Sequence, residues 1–146
     1  MLSFYPMSSK ESSIKYPNTA GVTRNAPTSV AFVHNFLDEY GLTPYEFRLY
    51  THIVRRTGGK PEGVCFASLN KIAQICKMSP RKAQQAMKVL IRANLVTQTK
   101  RVGRTDEYQV RSASDWISKE ELDQVREELS KASIQKQKDD STTVQP

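Results

Sequence analysis

The sequence predicts a mainly α-helical domain with a small β-hairpin. Two helical patterns in the middle of the chain are separated by only about three residues, and each begins at a serine. A third helical pattern precedes them. Two short β-type runs joined by a glycine-containing turn come directly after the last helix. A three-helix core followed by such a hairpin is the pattern of a winged helix-turn-helix, in which the hairpin is the wing.

The first core helix is predicted to begin at Thr43 and to stop near Thr57. The run Thr-Pro-Tyr-Glu supplies a capping residue, a proline at the first helical position and the glutamate that completes a capping box. An extra helix is expected before it, over residues 30–40, because apolar residues recur there at helical spacing. Gly41 is expected to end that extra helix.

The second and third core helices are predicted over residues 69–77 and 79–94. Ser68 and Ser79 are the capping residues, and a proline follows Ser79 at the first helical position. A short strand is expected at residues 64–66. The wing is predicted from runs of β type at residues 95–100 and 107–110, with a turn at 102–105.

Four regions are expected along the chain. Residues 1–26 are rich in Ser, Pro, Asn and Gly and predict a flexible arm, and residues 27–113 hold the winged domain. Residues 114–133 predict an amphipathic helix that begins with a second capping box at Ser118 to Glu121. Residues 134–146 are polar and predict a disordered tail.

The C-terminal helix has apolar residues at alternating spacings of three and four. Leu122, Val125 and Leu129 are therefore candidates for the seam of a homodimer. The alternative is that this helix packs back on its own domain.

Positive charge is concentrated in the middle of the chain. Residues 43–113 hold 14 Lys and Arg against 4 Asp and Glu, whereas residues 114–146 hold 5 basic and 8 acidic residues. A compact basic domain attracts polyanions such as nucleic acid. The alternative is an ordinary solvated surface.

The third core helix divides into two faces when its residues are placed at about 100° per residue. Ala83, Met87 and Leu90 point inward. Long polar side chains fill an outward sector of about 60°, and none of them is acidic. Arg and Gln recognise base edges in a major groove. The expected contacts of this recognition helix with double-stranded DNA are Ser79, Arg81, Lys82, Gln84, Gln85, Lys88 and Arg92.

The N-terminal end of a recognition helix usually meets the bases, so Arg81, Gln84 and Gln85 are the expected base-reading residues. Lys88 and Arg92 lie further along and are expected at phosphates. The alternative is that this face is merely solvated.

The wing tip is also basic. Lys100, Arg101 and Arg104 surround its glycine and are expected to follow the DNA backbone or enter a minor groove. The alternative is a charged turn that only blocks edge-to-edge strand pairing. Lys71 and Lys77, on the second core helix, are weaker candidates for phosphate contact.

Several functional classes are not supported. Cys65 and Cys76 lie in apolar patterns and are expected to be reduced core thiols, and their spacing from His34 and His52 fits no zinc finger. No cofactor, metal or small-molecule ligand is predicted, and no catalytic motif indicates an enzyme. His52 is expected on the surface. No membrane span or signal peptide is seen, so a cytoplasmic, nucleoid-associated protein is expected.

The stretch from GLTPYEFRLY to CFASLNKIAQICKMSPRKAQQAMKVL and RVGRTDEYQV resembles winged-helix domains of bacterial, phage and plasmid proteins. These occur in replication initiators and in small stand-alone regulators. The resemblance covers residues 41–111 and implies DNA contact by the third core helix and the wing. A transcriptional regulator is the leading hypothesis. The alternatives are a plasmid or phage replication or partition accessory factor, and a winged helix used for protein or RNA contact.

Overall fold

The secondary structure is described over residues 31–142 by a computed structural model. The helices are α1 (Leu37–Tyr40), α2 (Pro44–Thr57), α3 (Leu69–Cys76), α4 (Pro80–Arg92) and α5 (Lys119–Thr142). The strands are β1 (Cys65–Phe66), β2 (Val96–Thr99) and β3 (Glu107–Val110), and a single 3-10 turn lies at Ala113–Asp115. Helices α2, α3 and α4 are the three-helix core and β2–β3 the wing, so the predicted winged helix-turn-helix is confirmed. The flexible arm expected at residues 1–26 lies outside the described residues.

The core helices begin at the predicted caps. The Thr43 hydroxyl accepts a hydrogen bond from the Glu46 amide at 3.3 Å, and the Thr43 amide donates to Glu46 Oε2 at 3.0 Å. Ser68 and Ser79 accept hydrogen bonds from the amides three residues ahead, at 3.3 and 3.1 Å. Each cap satisfies an amide that would otherwise have no partner at the helix end, which stabilises the helix by about 1 kcal/mol.

The turn between α3 and α4 has three residues, as predicted. Lys77 is left-handed with φ 59°, and the Met78 amide donates to the Ala73 carbonyl at 3.0 Å. Helix α4 is two residues shorter at its C-terminal end than the predicted range. Its last helical residue is Arg92, and Asn94 turns left-handed with φ 62°.

The sheet has three antiparallel strands in the order β1-β3-β2. Cys65 pairs with Tyr108, and Val96 pairs with Val110. The wing strands were predicted as a hairpin, and β1 adds a third strand to them. Tyr108 lies at the centre with 1% of its surface exposed, and this burial raises the pKa of its hydroxyl to about 12.

The core lies between the three helices and the sheet. The inward face predicted for α4 is buried: Ala83, Met87 and Leu90 are each at most 3% exposed. Burial of one large aliphatic side chain contributes about 1.5–3 kcal/mol to folding. The largest fully buried apolar side chains are Leu49, Ile53, Ile72, Leu90, Leu95, Tyr108 and Leu122.

The expectation that His52 lies on the surface is wrong. Its side chain is 2% exposed, and Nδ1 has no hydrogen-bond partner within residues 31–142. Neighbouring Ile53 on α2 is also buried, and the apolar face of this helix is wider than the sequence suggested. Burial lowers the pKa of His52, and the positive charges of Arg55, Arg56 and Arg48 lower it further.

His52 is expected to make stability depend on pH. Its folded pKa lies below the unfolded value of about 6.5, so the unfolded chain binds the proton more readily. The free energy of unfolding therefore falls as pH drops below about 6.5, by at most about 1.4 kcal/mol per pH unit until the folded pKa is reached. Urea unfolding from pH 7.5 to 5 should show a shallower slope for His52→Gln than for the control His34→Gln. Equal slopes in the two variants would contradict this expectation.

Helix α1 is much shorter than predicted. A helix was expected over residues 30–40, but only Leu37–Tyr40 is helical, and residue 30 lies outside the described part of the chain. The preceding Val, His, Asn and Phe residues are poor helix formers. The two rings of this segment pack against Trp116 instead: the ring centroids of His34 and Phe36 lie 5.7 and 5.4 Å from it. Gly41 ends α1 with φ 98°, as predicted for a left-handed cap.

Helix α5 begins at the predicted capping box but continues further than expected. The Ser118 amide donates to Glu121 Oε2 at 2.8 Å, and the Glu121 amide donates to Ser118 Oγ at 3.2 Å. The disordered tail predicted from residue 134 is wrong for 134–142, which are helical; residues 143–146 lie outside the described residues. This segment contains no Gly or Pro, and Gln135 donates to Asp139 at 3.1 Å one helical turn later.

The predicted dimer seam on α5 is wrong at its first position, because α5 packs on its own domain. Leu122 is fully buried in the core of the same chain, and Val125 and Leu129 are half-buried. Arg126 fixes this arrangement: its Nη2 donates to the Gly41 carbonyl at 2.7 Å and its Nε to Glu46 at 3.2 Å. Leu122 is therefore unavailable to a second chain.

Within residues 31–142, no helix combines the length and the apolar character needed to cross a membrane.

Candidate nucleic-acid interface

Helix α4 presents a polar, non-acidic face to solvent. Arg81, Gln84, Gln85 and Lys88 are all exposed, on the side of the helix opposite to its buried face. Ser79 caps the N-terminal end of the helix, where the first backbone amides have no partner within the helix. The face predicted for the recognition helix is therefore rigidly positioned, because the opposite face is held in the core.

Lys82 and Arg92 are already engaged by other side chains. The Lys82 ammonium lies 4.9 Å from the centre of the Tyr45 ring, a cation–π contact. Arg92 Nη2 lies 2.9 Å from Glu128 Oε2 on α5. Sequence reasoning missed Tyr45, although an exposed aromatic residue in a first helical turn was a usable signal. Glu128 is 36 residues from Arg92, and no local pattern indicates the pair.

The three basic residues of the wing have two different environments. Lys100 and Arg104 are exposed around Gly103, whose φ of 69° is readily adopted only by glycine. Arg101 is half-buried: its Nη1 lies 2.9 Å from Glu107, and its guanidinium lies 5.6 Å from the Phe66 ring centre. Arg101 therefore braces the base of the wing, and sequence reasoning missed Phe66 as its support.

The two weaker candidates lie at opposite ends of α3. Lys71 is exposed in the first turn, and Lys77 is exposed at the C-terminal cap. An open groove of about 580 Å³ separates the start of α3 from the wing. Its walls include Ser68, Gln98, Arg104 and Asp106.

Three of the four Asp and Glu in residues 43–113 are bound to other side chains. Glu46 pairs with Arg126, Glu107 pairs with Arg101, and Asp106 accepts a hydrogen bond from the neutral amide of Gln98 at 2.7 Å. The charges of Glu46 and Glu107 are thus offset locally. The outward stripe of α4 and the wing tip keep a positive potential, which favours an anionic partner.

A second groove separates α4 from α5. It encloses about 480 Å³ between Arg81, Gln85 and Lys88 on one wall and α5 residues such as Leu129 and Ser133 on the other. The C-terminal helix thus lies beside the face that was predicted to meet DNA. No local pattern in the sequence indicates this position for α5.

The two cysteines are free thiols buried in the core, as predicted. Burial raises the pKa of both Cys65 and Cys76, which keeps them protonated near neutral pH. Within residues 31–142, no group of three or more His, Cys, Asp or Glu side chains is arranged to hold a metal ion.

Residues 40–96 match the sequence profile of a protein family described as a helix-turn-helix domain. The match runs from the end of α1 through α2, α3 and α4 to the first residue of β2. It confirms the helix-turn-helix part of the resemblance drawn from the sequence motifs. No curated protein and no solved structure matches the chain.

Proposed function

We propose that this chain, whose residues 40–96 match a helix-turn-helix family, is a sequence-specific duplex-DNA-binding protein, with α4 as the helix that enters the major groove. The observation that carries the proposal is the outward face of α4. Arg81, Gln84, Gln85 and Lys88 are exposed there together, without an acidic residue on the helix.

The residue types on this face suit base recognition. A major groove about 12 Å wide accepts one α-helix. Arg81 has the geometry to donate two hydrogen bonds to guanine O6 and N7, and Gln84 and Gln85 can each pair with adenine N6 and N7. These three residues lie in the first two turns of α4, at the end that normally reaches base edges.

The surrounding basic residues suit the sugar–phosphate backbone. Lys88 lies one turn beyond the base-reading residues, and Lys100 and Arg104 extend from the wing toward an adjacent phosphate chain or minor groove. The Ser79 hydroxyl, Lys71 and Lys77 add weaker phosphate contacts. Lys82, Arg92 and Arg101 have intramolecular partners, so their contribution to binding is smaller than the sequence suggested.

We place the protein among transcriptional regulators that act in the cytoplasm on the nucleoid. A recognition helix that enters the major groove is the module with which many such regulators read their operators. Plasmid or phage replication and partition factors use the same module, and genomic position beside an origin would favour that alternative.

Selection of bound duplexes from a random pool tests the proposal. The expected result is an enriched motif of a few base pairs that contains a guanine and an adenine. Recovery of duplexes without any shared motif would overturn sequence-specific recognition.

Lys88→Ala is expected to weaken binding to the selected site and to an unrelated duplex by the same factor. A phosphate contact carries no sequence information, and its loss should reduce the slope of log K against log salt by about 1. Lys119→Ala, which removes the same charge at the start of α5, is the control and should change neither quantity. A loss confined to the selected site would contradict phosphate contact by Lys88.

A further inference from the structure

We propose that the second half of α5, residues 130–142, is a gate that lies alongside the DNA-facing side of α4 and must move away before α4 enters a major groove. This inference rests on the proposed function and adds its regulation. It arises from the position of α5, which the helix-turn-helix match over residues 40–96 does not include.

The gate and the recognition face share one groove. Arg81, Gln85 and Lys88 of α4 form one wall of the 480 Å³ groove, and Ser133 and Ile134 are among the α5 residues of the other wall. Arg81 and Gln85 are two of the three proposed base-reading residues, and Lys88 is a proposed phosphate contact. A duplex that reaches them must enter the space that α5 borders.

The width of the major groove does not allow α4 and α5 to enter it side by side. An α-helix with its side chains is about 10–12 Å across, and the major groove is about 12 Å wide. One helix fills the groove, so α4 with α5 alongside it does not fit. Residues 130–142 therefore have to leave the side of α4 when the duplex binds.

The two halves of α5 are held differently. The first half is anchored by the buried Leu122 and by Arg126, which bonds to Glu46 in the first turn of α2 and to the carbonyl of Gly41 at the end of α1. In contrast, every side chain from residue 130 to 141 is exposed. A segment without buried side chains opens at low free-energy cost, whereas the first half stays in place.

The acidic charge of α5 lies before the gate rather than in it. Residues 119–129 carry 5 acidic and 2 basic residues, whereas residues 130–142 carry 2 acidic and 3 basic residues. Glu128, two residues before the gate, forms an ion pair with Arg92 of α4, with 2.9 Å between Glu128 Oε2 and Arg92 Nη2. A duplex offers Arg92 a phosphate in place of this carboxylate, so duplex binding and release of the Glu128 side chain favour each other.

The first test breaks the helix at the start of the gate. Ser130→Pro removes an intrahelical hydrogen bond and detaches residues 130–142, while Ser130→Ala keeps the helix and is the matched control. If about one molecule in ten is open, Ser130→Pro should bind the selected duplex roughly tenfold more tightly than Ser130→Ala. The thermal transition followed by fluorescence of Trp116, which lies in the aromatic cluster, should be unchanged.

The second test leaves the helix intact. Glu128→Gln removes the partner of Arg92, whereas Glu127→Gln removes the same charge from a carboxylate that pairs with Lys131 on α5 itself, at 2.7 Å. Glu128→Gln should strengthen duplex binding about two- to fivefold over Glu127→Gln, as expected for loss of one exposed ion pair.

Three results would overturn the proposal that residues 130–142 are a gate. Equal binding by all four variants would leave the proposed function intact and show that α5 does not compete. Weaker binding by Ser130→Pro would show that α5 adds contacts to the duplex. Absence of duplex binding by the wild type and by every variant at low salt would remove the gate and the proposed function together.

Discussion

Replacing Arg81 with alanine is expected to weaken binding to the selected duplex by about 1–3 kcal/mol and to relax the preference for guanine at one position. The reason is the planar guanidinium, which donates two hydrogen bonds to guanine O6 and N7. Arg81 is exposed in the first turn of α4, where the helix is fixed by the Ser79 cap. Fluorescence anisotropy on the selected duplex and on its single-base variants measures both effects.

The matched control keeps the charge. Arg81→Lys places a cation at the same position without the two-pronged geometry, so it should retain most of the non-specific affinity and lose the guanine preference. If Arg81→Lys and Arg81→Ala both keep the wild-type preference at every base position, Arg81 does not read a base.

Replacing Arg126 with alanine is expected to lower the free energy of unfolding by about 2–3 kcal/mol, somewhat below the range for fully buried pairs because Arg126 is partly exposed. The change leaves the Glu46 carboxylate, with 6% of its side chain exposed, without its charged partner. It also removes the hydrogen bond to the Gly41 carbonyl that ties α5 to the end of α1. Urea unfolding measures the loss.

An exposed pair on the same helix gives the control. Lys131→Ala removes the partner of Glu127, and both of these side chains are mostly exposed, so its cost should stay below about 1 kcal/mol. The double change Glu46→Gln with Arg126→Met should recover much of the stability, because it removes both charges. Equal stability of Arg126→Ala and Lys131→Ala would show that the Glu46 pair contributes little to the fold.

The sequence was sufficient wherever structure is determined by neighbouring residues. The capping boxes at Thr43 and Ser118 and the serine caps at Ser68 and Ser79 form their hydrogen bonds within three residues. These signals set the starts of four helices. The inward and outward faces of α4 followed from helical geometry, because both depend only on residue spacing.

The sequence was insufficient where contacts join distant residues. The pairs Arg92–Glu128 and Arg126–Glu46 span 36 and 80 residues, and together they set the position of α5 beside α4. The apolar spacing of α5 fitted a dimer seam and an intramolecular face equally well. The burial of Leu122 in this domain shows that α5 packs on its own chain.

His52 and α1 are two cases in which the local sequence pattern predicted the wrong structure. His52 lies between arginines in sequence, so its burial depends on how closely the rest of the domain packs around α2. The residues before α1 have helical spacing of apolar side chains, but their rings pack around Trp116, 80 residues after Phe36. In both cases tertiary packing decided against the local pattern.

Binding of a labelled duplex measured across a salt series tests the claim that the basic face of α4 and the wing bind duplex DNA. With about four to six phosphate contacts, log K should fall linearly with log salt with a slope of roughly −4 to −5. Binding should be readily detected at about 50 mM salt and largely lost by about 200 mM. Absence of duplex binding at 50 mM salt, by the wild type and by Ser130→Pro alike, would contradict the claim.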